Sequence, residues 1–389
     1  MRCSHFTALC AMPFVKGRAL SSFSMSSLKF EILPHPSRLA PEARRSALTN
    51  LGFGRVFTDS MVQVNYVEGQ GWIEPRILPY QPVSLDPAAS VFHYGQAIFE
   101  GFKAFRQEDG GLATFRPDEN ARRFQSSAAR LAMPALPVAD FVHASDLLLR
   151  EDQEWVPEND GESVYVRPLM IATEPVLGVR PAREYLFLMI ASPSGAYFPK
   201  GVRPVSVWIT EDYVRAAVGG TGAAKCAGNY AASLVAQRQA NSAGCDQVVW
   251  LDAAKRTDVE EMGGMNLFFV YGKGKGARLV TPRLTGSLLP GVTRDSLLKL
   301  SADLGYQAEE STVTVEGWRE GVKSGLITEV FACGTAAVIT PVGEVKSEQG
   351  SFLIHGGETG PVASELRKHL LDIQYGRTPD TRGWMHRVI

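Results

Sequence analysis

The segment Gly219-Gly-Thr-Gly-Ala-Ala-Lys225 gathers glycine and alanine around one lysine, and Cys226-Ala-Gly228 continues the run of small residues. Small neighbours allow a planar ligand to approach the lysine amine and the backbone closely. A lysine becomes a useful nucleophile when partial desolvation lowers its pKa. The segment is therefore a candidate for a catalytic lysine, although the same composition is common in flexible surface loops.

The same segment invites comparison with the turns that bind dinucleotides. Gly220-Thr-Gly222 begins like G-x-G-x-x-G, but the sixth position is Lys225 instead of glycine. The acidic residue expected about 20 positions further on is missing, because position 245 is a cysteine. A nicotinamide-dependent oxidoreductase therefore stays an alternative, but a weakened one.

Strand-forming runs lie on both sides of this segment. The ranges predicted as strands are 102–105, 112–115, 164–172, 185–191, 205–210, 247–251, 265–271 and 277–280. Helices are predicted from Pro117, over 229–241 and from Gly291. Because strands outnumber helices without regular βαβ alternation, we expect a two-domain α+β protein and not a doubly wound sheet.

A turn-rich break over residues 194–201 divides the chain of 389 residues. We expect a small α+β domain over 25–197, an interdomain loop over 198–204, and a large domain over 205–389 that carries Lys225. Residues 1–24 contain basic residues and serines but no acid. They suit either an organelle transit peptide or a disordered or misassigned extension before Met25, and we favour the extension.

Composition argues against several classes of function. Hydrophobic residues make up 45% and charged residues 21%, and the formal net charge is −1. These values favour neither a nucleic-acid nor a membrane partner. The five cysteines show no CxxC or Cys/His cluster, so we expect no metal site and an intracellular location.

Weaker signals accompany the lysine segment. Glu260 and Glu261 precede a strongly apolar strand, and a buried carboxylate there would need a cationic partner such as a protonated pyridine nitrogen. Gly291-Val-Thr293 opens a helix whose free N–H groups would bind a phosphate. Thr335 offers a hydroxyl in a tight turn. Each feature alone is common in proteins without such a ligand.

Seven blocks together resemble the branched-chain aminotransferases, in the D-amino-acid-aminotransferase-like group of pyridoxal-phosphate enzymes. In order, the blocks are Phe92-His-Tyr-Gly-Gln-Ala-Ile-Phe-Glu-Gly101, Tyr165-Val-Arg-Pro168, Gly195-Ala-Tyr-Phe198, Gly219-Gly-Thr-Gly-Ala-Ala-Lys225 with Gly228-Asn-Tyr230, Glu261-Met-Gly-Gly-Met-Asn266, Leu289-Pro-Gly-Val-Thr-Arg294 and Gly334-Thr-Ala336. The resemblance covers about residues 51–377. It implies the two-domain fold type IV of pyridoxal enzymes.

The resemblance also implies roles around pyridoxal 5′-phosphate. Lys225 would form the Schiff base and move the substrate proton, Glu261 would face the pyridine nitrogen, and Tyr230 would bind the phenolic oxygen. The phosphate would lie against Arg123, Val292, Thr293 and Thr335, with Arg215 nearby.

For the substrate, the resemblance implies an α-carboxylate held near Gly264, Ala336 and Tyr94. Phe99, Tyr165 and Tyr197 would line an apolar pocket, and Arg167 would receive the distal carboxylate of glutamate. The expected reaction converts L-leucine, L-isoleucine or L-valine and 2-oxoglutarate into the branched 2-oxo acid and L-glutamate.

Further expectations follow from the same resemblance. The relatives are typically homodimers, and the Glu261–Asn266 block is closest to bacterial members, which favours a cytoplasmic over a mitochondrial location. The thiol pair of animal relatives is replaced by Ala337 and Thr340, so no redox switch is expected there. Within the fold type, a D-amino-acid aminotransferase or an aminodeoxychorismate lyase is the alternative. A further alternative, from another class of protein, is a non-catalytic protein that binds a phosphate-containing ligand.

Overall fold

The computed structural model describes residues 26–195 and 203–389. The first described range forms most of one large sheet and four helices. Its strands are β1 (Glu31–Ile32), β2 (Ser60–Val67), β3 (Gly71–Pro79), β4 (Ala97–Phe99), β5 (Phe102–Arg106), β6 (Leu112–Phe115), β7 (Ser163–Ala172) and β8 (Glu184–Ser194). Its α-helices are α1 (Pro41–Ala47), α2 (Ser90–Tyr94), α3 (Pro117–Arg130) and α4 (Val138–Glu151), and a 3₁₀ turn covers Gln153–Trp155.

The first sheet is centred on the long antiparallel pair β7–β8, in the order β1-β3-β2-β8-β7-β5-β6, with β4 also on β7. Helices α3 and α4 pack on this sheet, where the rings of Phe124, Phe141 and Phe187 meet in a buried cluster. Pro117 in the first turn of α3 and two acidic residues after it suit a helix start. This packing fixes α3 beside β4.

The second described range forms another sheet with five helices. Its strands are β9 (Val205–Ile209), β10 (Gln247–Leu251), β11 (Val259–Met262), β12 (Met265–Tyr271), β13 (Arg278–Pro282), β14 (Gln307–Ser311), β15 (Ile327–Gly334), β16 (Val338–Ser347) and β17 (Gly350–Leu353). Its α-helices are α5 (Ala227–Ala231), α6 (Leu234–Ser242), α7 (Val292–Asp303), α8 (Val315–Lys323) and α9 (Pro361–Gln374), with 3₁₀ turns at Gly274–Gly276 and His355–Gly357.

The second sheet closes on itself. Its order is β11-β10-β9-β16-β15-β12-β13-β14, and β11 also pairs with β12, so six strands form a ring. Val207, Val249 and Leu267 are among the buried side chains of one core in this part of the chain. Trp318 of α8 closes that core edge-to-face against Phe269, with ring centroids 5.2 Å apart. The closed ring gives the loops at its rim a rigid support.

The final strand, β18 (Met385–Arg387), returns to the first sheet and pairs antiparallel with β6.

The expected α+β fold is confirmed, as are the hairpin of β5 and β6 and the helices from Pro117 and Gly291. The helix expected over 229–241 is instead two helices, α5 and α6, separated at 232–233. The proposed domain division stays a prediction, and the expected extension, residues 1–24, lies outside the described residues.

Candidate active site

A cavity of about 280 Å³ is lined by residues from both sheets. Its lining consists of Phe53, Phe99, Gly101, Arg123, Tyr165, Arg167, Lys225, Tyr230, Gln247, Gly264, Met265, Asn266, Leu289, Gly291, Val292, Thr293, Cys333, Gly334, Thr335, Ala336 and Ala337. Eleven of the fifteen residues that the sequence suggested for the site are in this set, namely Phe99, Arg123, Tyr165, Arg167, Lys225, Tyr230, Gly264, Val292, Thr293, Thr335 and Ala336.

Hydrogen bonds of both its backbone N–H and its backbone carbonyl hold Lys225 at the cavity. Its N–H donates to the Ser127 hydroxyl at 2.9 Å, and its carbonyl accepts from the Phe99 N–H at 3.0 Å. The preceding loop packs so closely that a Cβ on Gly222 would lie 2.1 Å from the carbonyl oxygen of Ser287. The amine donates to the Tyr230 hydroxyl at 2.9 Å. The lysine loop is therefore part of a packed site and not a free surface loop.

The N-terminus of α7 opens into the same cavity. Gly291 is the N-cap, and no side chain caps the helix. Val292 and Thr293 line the cavity beside Thr335. The first N–H groups of a helix lack intrahelical acceptors and carry partial positive charge, which suits an oxyanion. This end of the cavity can hold a phosphate group.

Arg123 also lines this end, but it already has an acidic partner. Its Nε and Nη2 donate to the two oxygens of Glu100 at 2.7 and 2.9 Å, and Nη1 donates to the Pro290 carbonyl at 3.0 Å. Burial raises the pKa of Glu100, but the charge and hydrogen bonds of Arg123 outweigh it and hold that pKa below its ordinary value. Arg123 is thus a rigid, ionised donor at the edge of the cavity.

Glu261 and Arg215 form a second buried pair that is not among the cavity-lining residues. Arg215 Nε lies 3.3 Å from Glu261 Oε2, and the other carboxylate oxygen accepts from the Leu289 N–H. Burial raises the pKa of Glu261 above its ordinary value, although Arg215 opposes the shift. Arg215 also donates to the carbonyls of Gly222 and Ser287, so it joins the lysine loop to the carboxylate.

Another part of the active-site cavity wall consists of aromatic rings and one cation, Arg167. The guanidinium of Arg167 lies 5.0 Å from the ring centroid of Phe99 and 5.2 Å from that of Tyr165. Its Nε donates to the Glu100 carbonyl at 2.9 Å and its Nη2 to the Tyr165 hydroxyl at 3.3 Å. In the described ranges, Nη1 has no hydrogen-bond acceptor. The arrangement suits an aliphatic side chain and, alternatively, a distal carboxylate.

Of the expected substrate residues, Tyr94 does not line the cavity. Tyr94 ends helix α2, is exposed, and donates its hydroxyl to the Leu177 carbonyl. It is absent from the cavity lining within the described chain. Tyr197 lies outside the described residues. The substrate roles suggested for these tyrosines stay predictions.

Sequence reasoning gave no role to several residues that the structure brings to the site. Glu100 is the partner of Arg123, and Asn266 Nδ2 donates to the Leu289 carbonyl at 3.0 Å, bracing the loop before α7. Phe53 and Gln247 also belong to the lining. Glu100 had a usable signal, because a single charge inside the apolar run Ala-Ile-Phe-Glu-Gly-Phe requires a buried partner.

Within residues 26–195 and 203–389, no helix combines the length and the apolar character that a membrane span requires. No group of three or more His, Cys, Asp or Glu side chains in those ranges is placed to hold a metal ion.

A half-buried lysine, a free helix N-terminus and paired arginines around one cavity define an enzyme site for small anionic molecules. The family model for amino-transferase class IV matches residues 97–345. That match covers more than half of the chain and includes nearly all of the cavity. The chain belongs to the class IV aminotransferase family.

Named relatives cover nearly the whole chain. It is 57% identical over 365 residues to the probable branched-chain-amino-acid aminotransferase of Streptomyces coelicolor, covering 94% of this chain and 100% of that protein. It is 56% identical to the branched-chain-amino-acid aminotransferase of Mycolicibacterium smegmatis, covering 93% and 98%.

Solved structures give the same fold. The branched-chain amino acid aminotransferase of Escherichia coli matches with a TM-score of 0.69 and 27% identity, covering 84% of this chain and 100% of that one. The branched-chain amino acid aminotransferase of Thermobaculum terrenum, solved in its PLP form, matches with a TM-score of 0.69 and 24% identity, covering 85% and 98%. The predicted fold type IV architecture is therefore confirmed.

Proposed function

We propose that this enzyme is a branched-chain amino acid transaminase. It transfers the amino group of L-leucine, L-isoleucine or L-valine to 2-oxoglutarate and releases the branched 2-oxo acid and L-glutamate. The observation that carries the proposal is the position of Lys225 Nζ, which reaches a cavity with an anion-binding helix end and an aromatic wall beside Arg167. The names of relatives at 54–57% identity favour this activity over the D-amino-acid aminotransferase and the lyase. Membership of an aminotransferase family removes the support for an oxidoreductase or a binding protein without catalysis.

The cavity fits pyridoxal 5′-phosphate as cofactor. When bound, this cofactor supplies an aldehyde that joins to amines and a pyridine ring that withdraws electrons from the bond being broken. The uncapped start of α7, with Val292 and Thr293, together with Arg123 and Thr335, would hold its phosphate. Buried Glu261 would keep the ring nitrogen protonated, and Arg215 would orient that carboxylate.

Lys225 serves two functions in the proposed reaction. Its Nζ would hold the cofactor and, as a free amine, would take the proton from the substrate Cα. The Tyr230 hydroxyl, 2.9 Å away, fixes the position of the amine. The close packing of Gly222 and the backbone hydrogen bonds of Lys225 hold the base of this side chain in place, which favours proton transfer over a short distance.

Dual substrate recognition follows from the aromatic wall. Phe53, Phe99 and Tyr165 provide apolar surface for a branched side chain. Arg167 keeps one nitrogen without a protein acceptor in the described chain, and it would bind the distal carboxylate of glutamate or 2-oxoglutarate. The turns at Gly264 and Ala336 would hold the α-carboxylate shared by all substrates.

We further propose a cytoplasmic homodimer. Helix α2 and the loop after β7 expose Phe92, Tyr94, Leu177 and Val179. Contiguous exposed apolar side chains of this size are typical of protein interfaces. A second copy of the chain that covered this surface would bury all four side chains.

The proposed function is tested with Lys225→Ala. The wild-type enzyme treated with borohydride should carry a covalent cofactor adduct on the peptide that contains Lys225, and the variant should carry none. Transamination should fall by several orders of magnitude, since proton transfer alone contributes roughly 10²–10⁴-fold. Lys225→Arg should fail in the same way, because a guanidinium does not lose its proton. An adduct on another lysine, such as Lys103, would overturn the assignment.

A further inference from the structure

A second cavity, of about 360 Å³, lies between helix α9 and strand β16. Its lining does not overlap with that of the active-site cavity. The apolar part consists of Ile339, Pro341, Ala363 and Leu371. Its volume is within the range of small-molecule sites, which is roughly 300–1,000 Å³.

Three cations line this cavity, and two of them already have acidic partners. Lys368 lies 2.6 Å from Asp372, and Arg377 is paired with Asp160. Arg367 takes part in no ion pair in the described part of the chain, and its buried Nε has no hydrogen-bond partner there. A half-buried guanidinium with an unsatisfied donor is costly unless an acceptor arrives.

A further cation, Lys103 of β5, interacts electrostatically with Arg367. Lys103 of β5 is 8% exposed, and its Nζ donates to the Ala336 carbonyl at 2.7 Å. No ion pair to an acid involves Lys103 among residues 26–195 and 203–389. Burial, followed by the charge of Arg367, lowers the pKa of Lys103 to about 8. The cavity lining itself holds three cations, Arg367, Lys368 and Arg377, and two carboxylates, Asp160 and Asp372, so its net charge is positive and favours an anion.

We propose that this cavity is a second binding site, which takes a small aliphatic carboxylate. The planar guanidinium of Arg367 binds the carboxylate through paired N–H donors, because this geometry matches the two oxygens. The aliphatic body lies on Ile339, Pro341 and Leu371. A branched 2-oxo acid or amino acid has this chemistry, so the enzyme's own substrates and products are candidate ligands, and that identification rests on the proposed function.

The test measures binding of 4-methylpentanoate to the holoenzyme after its active site has been blocked. Aminooxyacetate serves as the blocking agent, because it captures the cofactor aldehyde and places a carboxylate at the substrate position. Saturation-transfer NMR titration should then show one remaining site with millimolar affinity. Arg367→Met should weaken it roughly tenfold or more, as expected for loss of a charge-assisted pair.

Lys368→Met is the matched control, since that cation lies in the same cavity but is already paired with Asp372. It should leave the affinity within about twofold. Arg367→Lys retains the charge without the planar fork and should give an intermediate loss. Acetate should bind more weakly than 4-methylpentanoate, because it cannot cover the apolar wall.

Three results would overturn the proposal. They are no binding to the blocked wild-type enzyme, equal binding by wild type and a folded Arg367→Met variant, or equal affinity for acetate and 4-methylpentanoate. Failure of aminooxyacetate to react with the holoenzyme would instead count against the proposed function. The titration would then be repeated on the unblocked protein, so the two failures are distinguishable.

Discussion

The ion pair between Glu100 and Arg123 offers a quantitative test of how the active site is supported. Glu100 is 0% exposed and Arg123 9%, and the carboxylate also accepts from Asn120 Nδ2 at 2.7 Å and from the Gly101 N–H at 3.0 Å. Glu100→Gln removes the negative charge with little change in volume. It leaves the Arg123 guanidinium buried without its counter-ion.

Removing one partner of a buried pair costs about 3–5 kcal/mol of the free energy of unfolding. Glutamine keeps one carbonyl oxygen as an acceptor, so we expect the lower end, about 3 kcal/mol, for the cofactor-free protein. Arg122→Met is the control on the same helix, because Arg122 is 45% exposed and pairs with Asp118. An exposed pair contributes about 0–1 kcal/mol, so this control should change stability little.

The assay is denaturant unfolding of both variants with and without pyridoxal phosphate. The phosphate would supply the missing negative charge to Arg123, so the cofactor should recover part of the loss in Glu100→Gln beyond its effect on wild type. Because the folded pKa of Glu100 lies below 4.5, its stabilisation is present above pH 4.5 and is lost as the pH falls through the folded value. Equal stability losses for Glu100→Gln and Arg122→Met would refute the reasoning.

Three other changes test the remaining parts of the site and fold. Arg167→Ala should raise the KM for 2-oxoglutarate at least tenfold more than that for leucine, and equal increases in steady-state kinetics would contradict its role. Glu261→Gln should retain bound cofactor by absorbance but lose turnover at least 100-fold; near-normal turnover would point to another residue. The hydrogen bond from His386 to Asp146 raises the histidine pKa above 6.5, so its stabilisation is complete below pH 6.5 and is lost as the pH rises through the folded value. His386→Gln should therefore destabilise by up to about 1 kcal/mol at pH 6 and less at pH 9 in unfolding experiments.

Local patterns were sufficient for the elements that carry the site. The glycine-rich loop, the start of α7 and the β15–β16 turn each have a signal within ten residues, and each lies at the cavity. Most strands were also predictable, because alternation or continuous apolar runs reflect burial directly. Helix boundaries were less certain, as the division into α5 and α6 shows.

What could not be predicted depends on contacts between distant residues. Glu100 meets Arg123 across 23 positions, and β18 pairs with β6 after a return across most of the chain. The sequence placed Arg215 near the phosphate, which stays a prediction; it did not reveal that Nε lies beside Glu261 and that Nη1 donates to two backbone carbonyls. A sequence pattern gives the charge of such a residue but not the identity of its partner.

The pairing of charges leaves two separate places in this cavity that would bind anions in the proposed function. Glu100 neutralises Arg123 and Glu261 neutralises Arg215, so these arginines are held rigidly with little net charge of their own. The positive potential that remains comes from the N-terminus of α7, from Lys225 and from Arg167. The first two lie where the phosphate and aldehyde of the cofactor would bind, and Arg167 lies on the aromatic wall. In the proposed reaction, a substrate with an aliphatic side chain would contact only the aromatic surface, whereas a dicarboxylate would also reach Arg167. The same pocket would therefore accept both proposed substrates without moving a charged side chain.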